Sequence, residues 1–243
     1  MHDHVIATAG APELAKILEK REKQQNAGPG YPLTVPPTKS ISCLKEYNYA
    51  VNIMVVNLHY STDVIPVKGF GYLIPRSISM EQNPERALGV IFASQATPGL
   101  NTAPGDSVTV LLGGHFWDGW EEPDFPDHDT AVDMARSLLR RHLGVTQLPI
   151  VSRSRLHCNA IPQYTVGHVS RMRHLSKAVS EEFRHRLTLA GNWYGDAGVP
   201  DCVRQAYIAG TFSLLPVDAM PLGFEGGLAT HPHRPRMRKI ATS

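Results

Sequence analysis

Leu187-Thr188-Leu189-Ala190-Gly191-Asn192-Trp193-Tyr194-Gly195-Asp196-Ala197-Gly198-Val199-Pro200-Asp201-Cys202 is the stretch that decides how this chain is read. Residues 187–190 form a short apolar run, the pattern of a buried strand, and Gly191 ends it. A glycine-spaced loop follows, and Pro200 opens a helix that runs to about residue 215. Such a junction points free backbone N–H groups at whatever lies ahead of the helix, and the helix dipole favours an anion or an electron-rich oxygen there. Gly198 lets a flat ligand come close to the backbone, and Val199 is a poor N-cap that leaves those donors uncontested. The plain alternative is a strand–loop–helix joint closed by water or by Asp201. The residues alone leave both readings open, with the plain one ahead.

Working outward, residues 5–9 read as another short strand, and Pro12 opens a helix over 13–23 with Leu14, Ile17 and Leu18 at helical spacing. Residues 24–40 are rich in Gly, Pro, Gln and Thr and read as a loop. Four extended runs follow at 47–58, 64–75, 87–93 and 107–113, the second interrupted by Gly69 and Gly71. Their connections are too short for crossover helices, so an antiparallel sheet is expected. A helix over 129–142 carries the stripe Val132, Met134, Ala135, Leu138 and Leu139 and stops at Gly144. Residues 151–156 read as extended and 169–183 as helical. From residue 216 periodicity is lost and a disordered tail is expected.

A hydrophobic share of 42% and a charged share of 19% are those of a globular chain, and a net charge of +2 offers no electrostatic case for nucleic acid. No apolar run approaches the ~20 residues that a membrane-spanning helix needs. Cys43, Cys158 and Cys202 are scattered, against a disulfide framework or a zinc site. The histidine pairs His2/His4 and His231/His233 lie near the chain ends with no ligand partner at metal spacing, so no metal is expected. Cys158 follows His157, but neighbours in a strand point to opposite faces and form no nucleophile–base pair. Residues 2–10 resemble neither a transit nor a signal peptide; they read as a strand entering a turn, which suggests a fragment.

Six segments then appear in one order: Asp3-His4-Val5-Ile6-Ala7-Thr8 with Ala11-Pro12-Glu13-Leu14; Gly69-Phe70-Gly71-Tyr72-Leu73-Ile74-Pro75; Leu88-Gly89-Val90-Ile91-Phe92-Ala93-Ser94; Val108-Thr109-Val110-Leu111-Leu112-Gly113-Gly114; Ala160-Ile161-Pro162-Gln163-Tyr164-Thr165-Val166-Gly167-His168; and the opening stretch with Gly198-Val199-Pro200-Asp201-Cys202. Together they resemble the oxygen-dependent protoporphyrinogen oxidases of the flavin amine oxidase superfamily, over residues 1 to about 210. The resemblance is to the C-terminal half only. The family opens on a strand and a GxGxxG turn for the FAD pyrophosphate, and this sequence has none; Gly223-Phe224-Glu225-Gly226-Gly227 lacks the flanking strand and helix.

The resemblance implies an α/β (α+β) fold in which an antiparallel-sheet substrate domain joins the C-terminal closing part of an FAD domain, with the N-terminal dinucleotide half missing. The expected divisions are 1–44 as FAD-domain remnant and linker, 45–145 as substrate sheet and helix, 146–215 as C-terminal FAD-domain part, and 216–243 as tail. It implies oxidation of protoporphyrinogen IX to protoporphyrin IX in haem synthesis, with FAD as cofactor and dioxygen as oxidant, at the mitochondrial inner membrane through peripheral association. Leu156, Ala197, Gly198 and Val199 are the implied FAD contacts, with Tyr164 near the ring; Phe70, Leu73 and Leu111 are the implied substrate contacts. No catalytic acid or base stands out. Ordinary core packing is the alternative for each apolar residue. The alternative functions are another FAD-dependent amine oxidase-like oxidoreductase or an inactive truncated product.

Overall fold

The computed structural model describes residues 4–25, 38–46, 49–99, 101–195 and 197–213. The expected tail at 216–243, the Gly223–Gly227 stretch, His2, His231 and His233 lie outside the described residues. The chain divides into two compact units, one made of residues 1–49 and 162–243 and the other of residues 50–161.

In the first unit, β1 (Val5–Ala7) pairs in parallel with β7 (Leu187–Leu189), with Val5 opposite Leu187 and Ala7 opposite Leu189. The expectation that these two short runs lie together is met. Their ladder continues at both ends, where Val5 N donates to Arg186 O at 2.9 Å and Ala190 N to Ala7 O at 3.0 Å. Around them pack α1 (Ala11–Gln25), α2 (Lys39–Glu46) and α5 (His168–Glu182), which bury Leu14, Leu18, Ile41, Leu44, Met172, Leu175 and Val179 in one cluster. Helix α2 occupies sequence that composition assigned in part to a loop. Its first turn is closed from far along the chain: Glu182 accepts from Ser40 N at 3.2 Å and from the Ser40 hydroxyl. Helix α6 (Val199–Ser213) completes the unit.

The second unit is a five-stranded sheet in the order β3-β4-β5-β2-β6. Its strands are β2 (Ala50–His59), β3 (Gly71–Leu73), β4 (Ala87–Phe92), β5 (Ser107–Gly113) and β6 (Val151–Pro162). The β2–β5, β4–β5 and β3–β4 pairs are antiparallel, as the short connections predicted. A one-turn helix, α3 (Ala93–Ala96), and a 3₁₀ turn (Gly114–Trp117) punctuate it. Helix α4 (His128–Leu143) runs from Asp127, whose carboxylate accepts from Thr130 N at 2.9 Å, to a left-handed Gly144. It lays Ala131, Ala135, Leu138 and Leu139 on Met54, Val56, Leu58, Val90, Phe92, Val108, Val110 and Leu112. These sheet residues sit at alternate positions, so one face of the sheet is the core.

Residues 64–75 are not the continuous strand expected from composition; only Gly71–Leu73 pairs. The cause is Asp106, buried at 6% exposure. Its carboxylate accepts from Val64 N at 2.8 Å, Ile65 N at 2.9 Å and the Ser94 hydroxyl at 2.8 Å, taking donors a ladder would have used. Gly71 is required where pairing resumes: a Cβ there would lie 2.1 Å from the Val90 carbonyl.

One polar network fixes the end of α4. Glu85, nearly buried, takes an ion pair from Arg141 and a hydrogen bond from Ser137 at 2.9 Å. Arg141 also donates to His142 Nε2 at 3.1 Å, which leaves His142 Nδ1–H to donate to the Tyr72 hydroxyl at 3.0 Å. Burial pushes the Tyr72 phenol up to about 12, with Glu85 adding and Arg141 opposing. Burial and then Arg141 hold His142 below the ordinary imidazole value; burial and then Arg76 do the same for His115.

Two predictions follow from this packing. Leu112→Ala, at a position 0% exposed, costs about 2–5 kcal/mol in denaturant unfolding; a smaller loss would show that the sheet closes over the gap. Both shifted histidines bind protons less readily folded than unfolded. Their stabilisation is therefore present above the free-imidazole pKa of 6.5 and lost as pH falls through the lower folded values. The melting temperature falls between about pH 7 and about pH 5, and the pair His115→Gln and His142→Gln flattens that slope. A slope unchanged in the double variant would assign it to other groups.

Candidate functional site

The junction after β7 is built round a few buried side chains. Gly191, at φ 128°, turns the chain in a region that favours glycine. Its N–H donates at 3.2 Å to Oε1 of Gln205, a residue 5% exposed on α6. The same amide packs on Gly195, where a Cβ would lie 2.6 Å from the Gln205 amide carbon. Trp193 and Tyr194 turn inward, and Trp193 Nε1 donates to Ala9 O at 2.9 Å, tying the loop to the exit of β1. The interior of the loop is therefore filled.

The outer part of the loop differs. Ala197, Gly198 and Pro200 are exposed, and Val199 is 78% exposed at the first position of α6. The helix start thus meets solvent, and the valine side chain itself has no acceptor to offer it. Asp201 stands in its first turn, close enough that a Cβ on Gly198 would lie 2.8 Å from its Oδ2, and Asp201 pairs with Arg204 at 3.0 Å. A carboxylate here already occupies part of the field of the helix dipole. The end favours an uncharged electron-rich oxygen over a second anion.

Tyr164 and His168 hold this loop from the other side. Their rings stack at 4.2 Å with an interplanar angle of 16°. The Tyr164 hydroxyl donates to Asn192 O, and His168 Nε2 donates to Tyr194 O at 3.3 Å. Sequence reading placed Tyr164 near the site but passed over His168 and Gln205. Gly167-His168 ends one of the six quoted segments, which was a usable signal; Gln205 had none, because its role depends on where α6 folds back.

In the second unit two of the implied substrate residues, Leu73 and Leu111, share an open face. Leu73 lies opposite Gly89, Gly89 opposite Leu111, and Leu111 opposite Val55, so Leu73, Leu111 and Val55 project from one face. It is the face away from α4. Leu73 is 83% exposed and Phe70, just before β3, is 68% exposed, while Leu111 is half-buried. These exposures are not those of core residues. Leu156, the implied flavin contact on β6, is different: half-buried, it packs against the α4-side core. Among the described residues no group of three or more His, Cys, Asp or Glu could hold a metal, and no helix is long and apolar enough to cross a membrane.

The chain matches no protein-family model. It is similar to protoporphyrinogen oxidase of Schizosaccharomyces pombe, 31% identical over 168 residues, 69% of this chain and 33% of that protein. It is similar to protoporphyrinogen oxidase of Macaca fascicularis, 32% identical over 212 residues, 85% of this chain and 40% of that protein. A crystal structure of a candidate protoporphyrinogen oxidase from Exiguobacterium sp. 255-15 superposes with a TM-score of 0.65 at 19% identity, over 87% of this chain and 41% of that one, and shares the fold. The chain thus spans between a third and two fifths of the length of these curated relatives. The likeness carried by the six segments holds, and the relatives are oxidases by name.

The glutamine-filled loop yields a test. Gly195→Ala forces Gln205 off Gly191 N–H and costs about 1–3 kcal/mol, read by denaturant unfolding together with faster proteolysis within residues 191–199. Unchanged stability and cleavage would show that the loop does not depend on that contact.

Proposed function

We propose, for a chain that is a relative of the protoporphyrinogen oxidases over up to 40% of their length, that it supplies the substrate face and the flavin-facing loop of such an enzyme. The reaction is oxidation of protoporphyrinogen IX to protoporphyrin IX, a step of haem biosynthesis, with FAD taking hydride equivalents and dioxygen reoxidising it. The observation that carries this reading is the exposure of Leu73 on a sheet face that also presents Leu111, with Phe70 exposed at the entrance to β3. A tetrapyrrole is a large apolar disc, and such a face gives it area to cover.

The residues fit the flavin end of FAD. Gly198, without a Cβ, and the exposed start of α6 at Val199 bring backbone within reach of a flat ring edge. Ala197 adds a small side chain beside them. FAD, when bound, supplies the redox chemistry, and the chain's own part is to orient ring and substrate and to exclude water. The adenosine side is another matter, because the sequence has no GxGxxG turn for the pyrophosphate. Peripheral attachment at the mitochondrial inner membrane belongs to the same proposal.

The purified chain of 243 residues is expected to be colourless, to retain no stoichiometric FAD through gel filtration and to release no porphyrin fluorescence from protoporphyrinogen under air. A yellow protein with turnover would mean that FAD is held by residues not identified above. The substrate face is tested separately. Protoporphyrin IX titrated into the chain quenches tryptophan fluorescence saturably, and Phe70→Ala with Leu73→Ala weakens binding ~10-fold or more. Absence of saturable quenching would remove the substrate face.

A further inference from the structure

The open face of the sheet is apolar in its middle and cationic along one edge. Strand β6 is outermost, beside β2. Ser154 on β6 hydrogen-bonds at 2.9 Å to His128 Nδ1 on α4, and Leu156 packs on the α4-side core. Side chains alternate along a strand, so Arg153 and Arg155 project from the opposite face, the one that carries Val55, Leu111 and Leu73. Both arginines are exposed, and among the described residues neither has an ion-pair partner. The polar residues that share the face on the neighbouring strands pair with one another: Asn57 with Thr109 at 2.7 Å, and His59 Nδ1 with the Ser107 hydroxyl at 2.9 Å. Strands lie ~4.8 Å apart, so Leu111 on β5 is only about 10 Å from β6.

We propose that Arg153 and Arg155 are a carboxylate-binding pair that fixes the orientation of a flat, apolar, dicarboxylate ligand on this face. The inference rests on the proposed reading of the face as the tetrapyrrole surface and deepens it. Apolar contact through Leu73 and Leu111 is insensitive to rotation of a disc in its own plane. A guanidinium at one edge breaks that degeneracy, because it offers a planar fork matched to a carboxylate.

The test compares protoporphyrin IX with its dimethyl ester, which keeps the disc and removes both charges, on the whole chain in one neutral detergent. The diacid binds more tightly than the ester to the wild-type chain, and its advantage shrinks with added salt. Arg153→Gln with Arg155→Gln weakens the diacid ~10-fold and leaves the ester within ~2-fold. The salt comparison needs no variant and decides the matter if the double substitution unfolds the chain. Equal affinity for diacid and ester in the wild type, or full diacid affinity in the folded double variant, overturns the arginine assignment and leaves the apolar face standing. Failure of both probes to bind overturns the face and the arginines together.

Discussion

Three residues near one end of the chain pair in parallel with three near the other, Val5–Ala7 with Leu187–Leu189, and the first unit depends on that pairing. A parallel pair cannot be made by a hairpin; the chain must leave and return. Here it returns after the entire second unit, so residues 50–161 form an insertion in the sequence of the first. Two strands make a weak sheet by themselves. The pair is held by what surrounds it: His4 Nε2 and the Thr188 hydroxyl at 2.8 Å on one side, Trp193 bonded to Ala9 on the other, and the α1, α2 and α5 cluster beneath. The loop at Gly191 inherits its position from this joint. Its outer, exposed part is placed by strand pairing rather than by its own residues.

The second unit was the more legible in sequence, because alternation is local. The runs at 87–93 and 107–113 became β4 and β5 almost residue for residue, and the helical stripe and Gly144 became α4. What could not be read there depended on a distant partner. Val64 and Ile65 have strand composition, yet their N–H groups go to Asp106, and nothing in residues 64–75 announces that. The first unit hid more. Helix α2 has only eight residues, follows a Gly- and Pro-rich stretch, and takes its first-turn bonds from Glu182.

At the candidate site the same division holds. That a strand, a loop and a helix succeed one another at Gly191 was visible from glycine and proline placement. Which loop residues turn in and which stay out was not, since Gln205 fills the inside and leaves Ala197, Gly198 and Val199 on the outside. Leu73 and Leu111 share a face because register makes them partners of Gly89, a relation between strands that no single run contains. Leu156 shows the converse. It looks like any other half-exposed leucine in sequence, but its parity on β6, fixed by Ser154 reaching α4, turns it to the core.

The two faces of the five-stranded sheet make the last point. An antiparallel sheet with helix on one side normally presents polar residues on the other, because that side meets water. Here the second face carries Val55, Ile91, Leu111 and Leu73, and the flanking Phe70 is also exposed. Contiguous apolar surface of this kind costs solubility and is kept where something is bound. The glycines of the same strands support that reading. Gly71 and Gly89 allow β3 to approach β4 so closely that a Cβ at either position would strike backbone, at 2.1 Å and 2.6 Å. The close approach brings Leu73 over Gly89 and so extends the apolar surface from the sheet centre to its edge. A face meant only for water would need neither the leucine there nor the glycine beneath it.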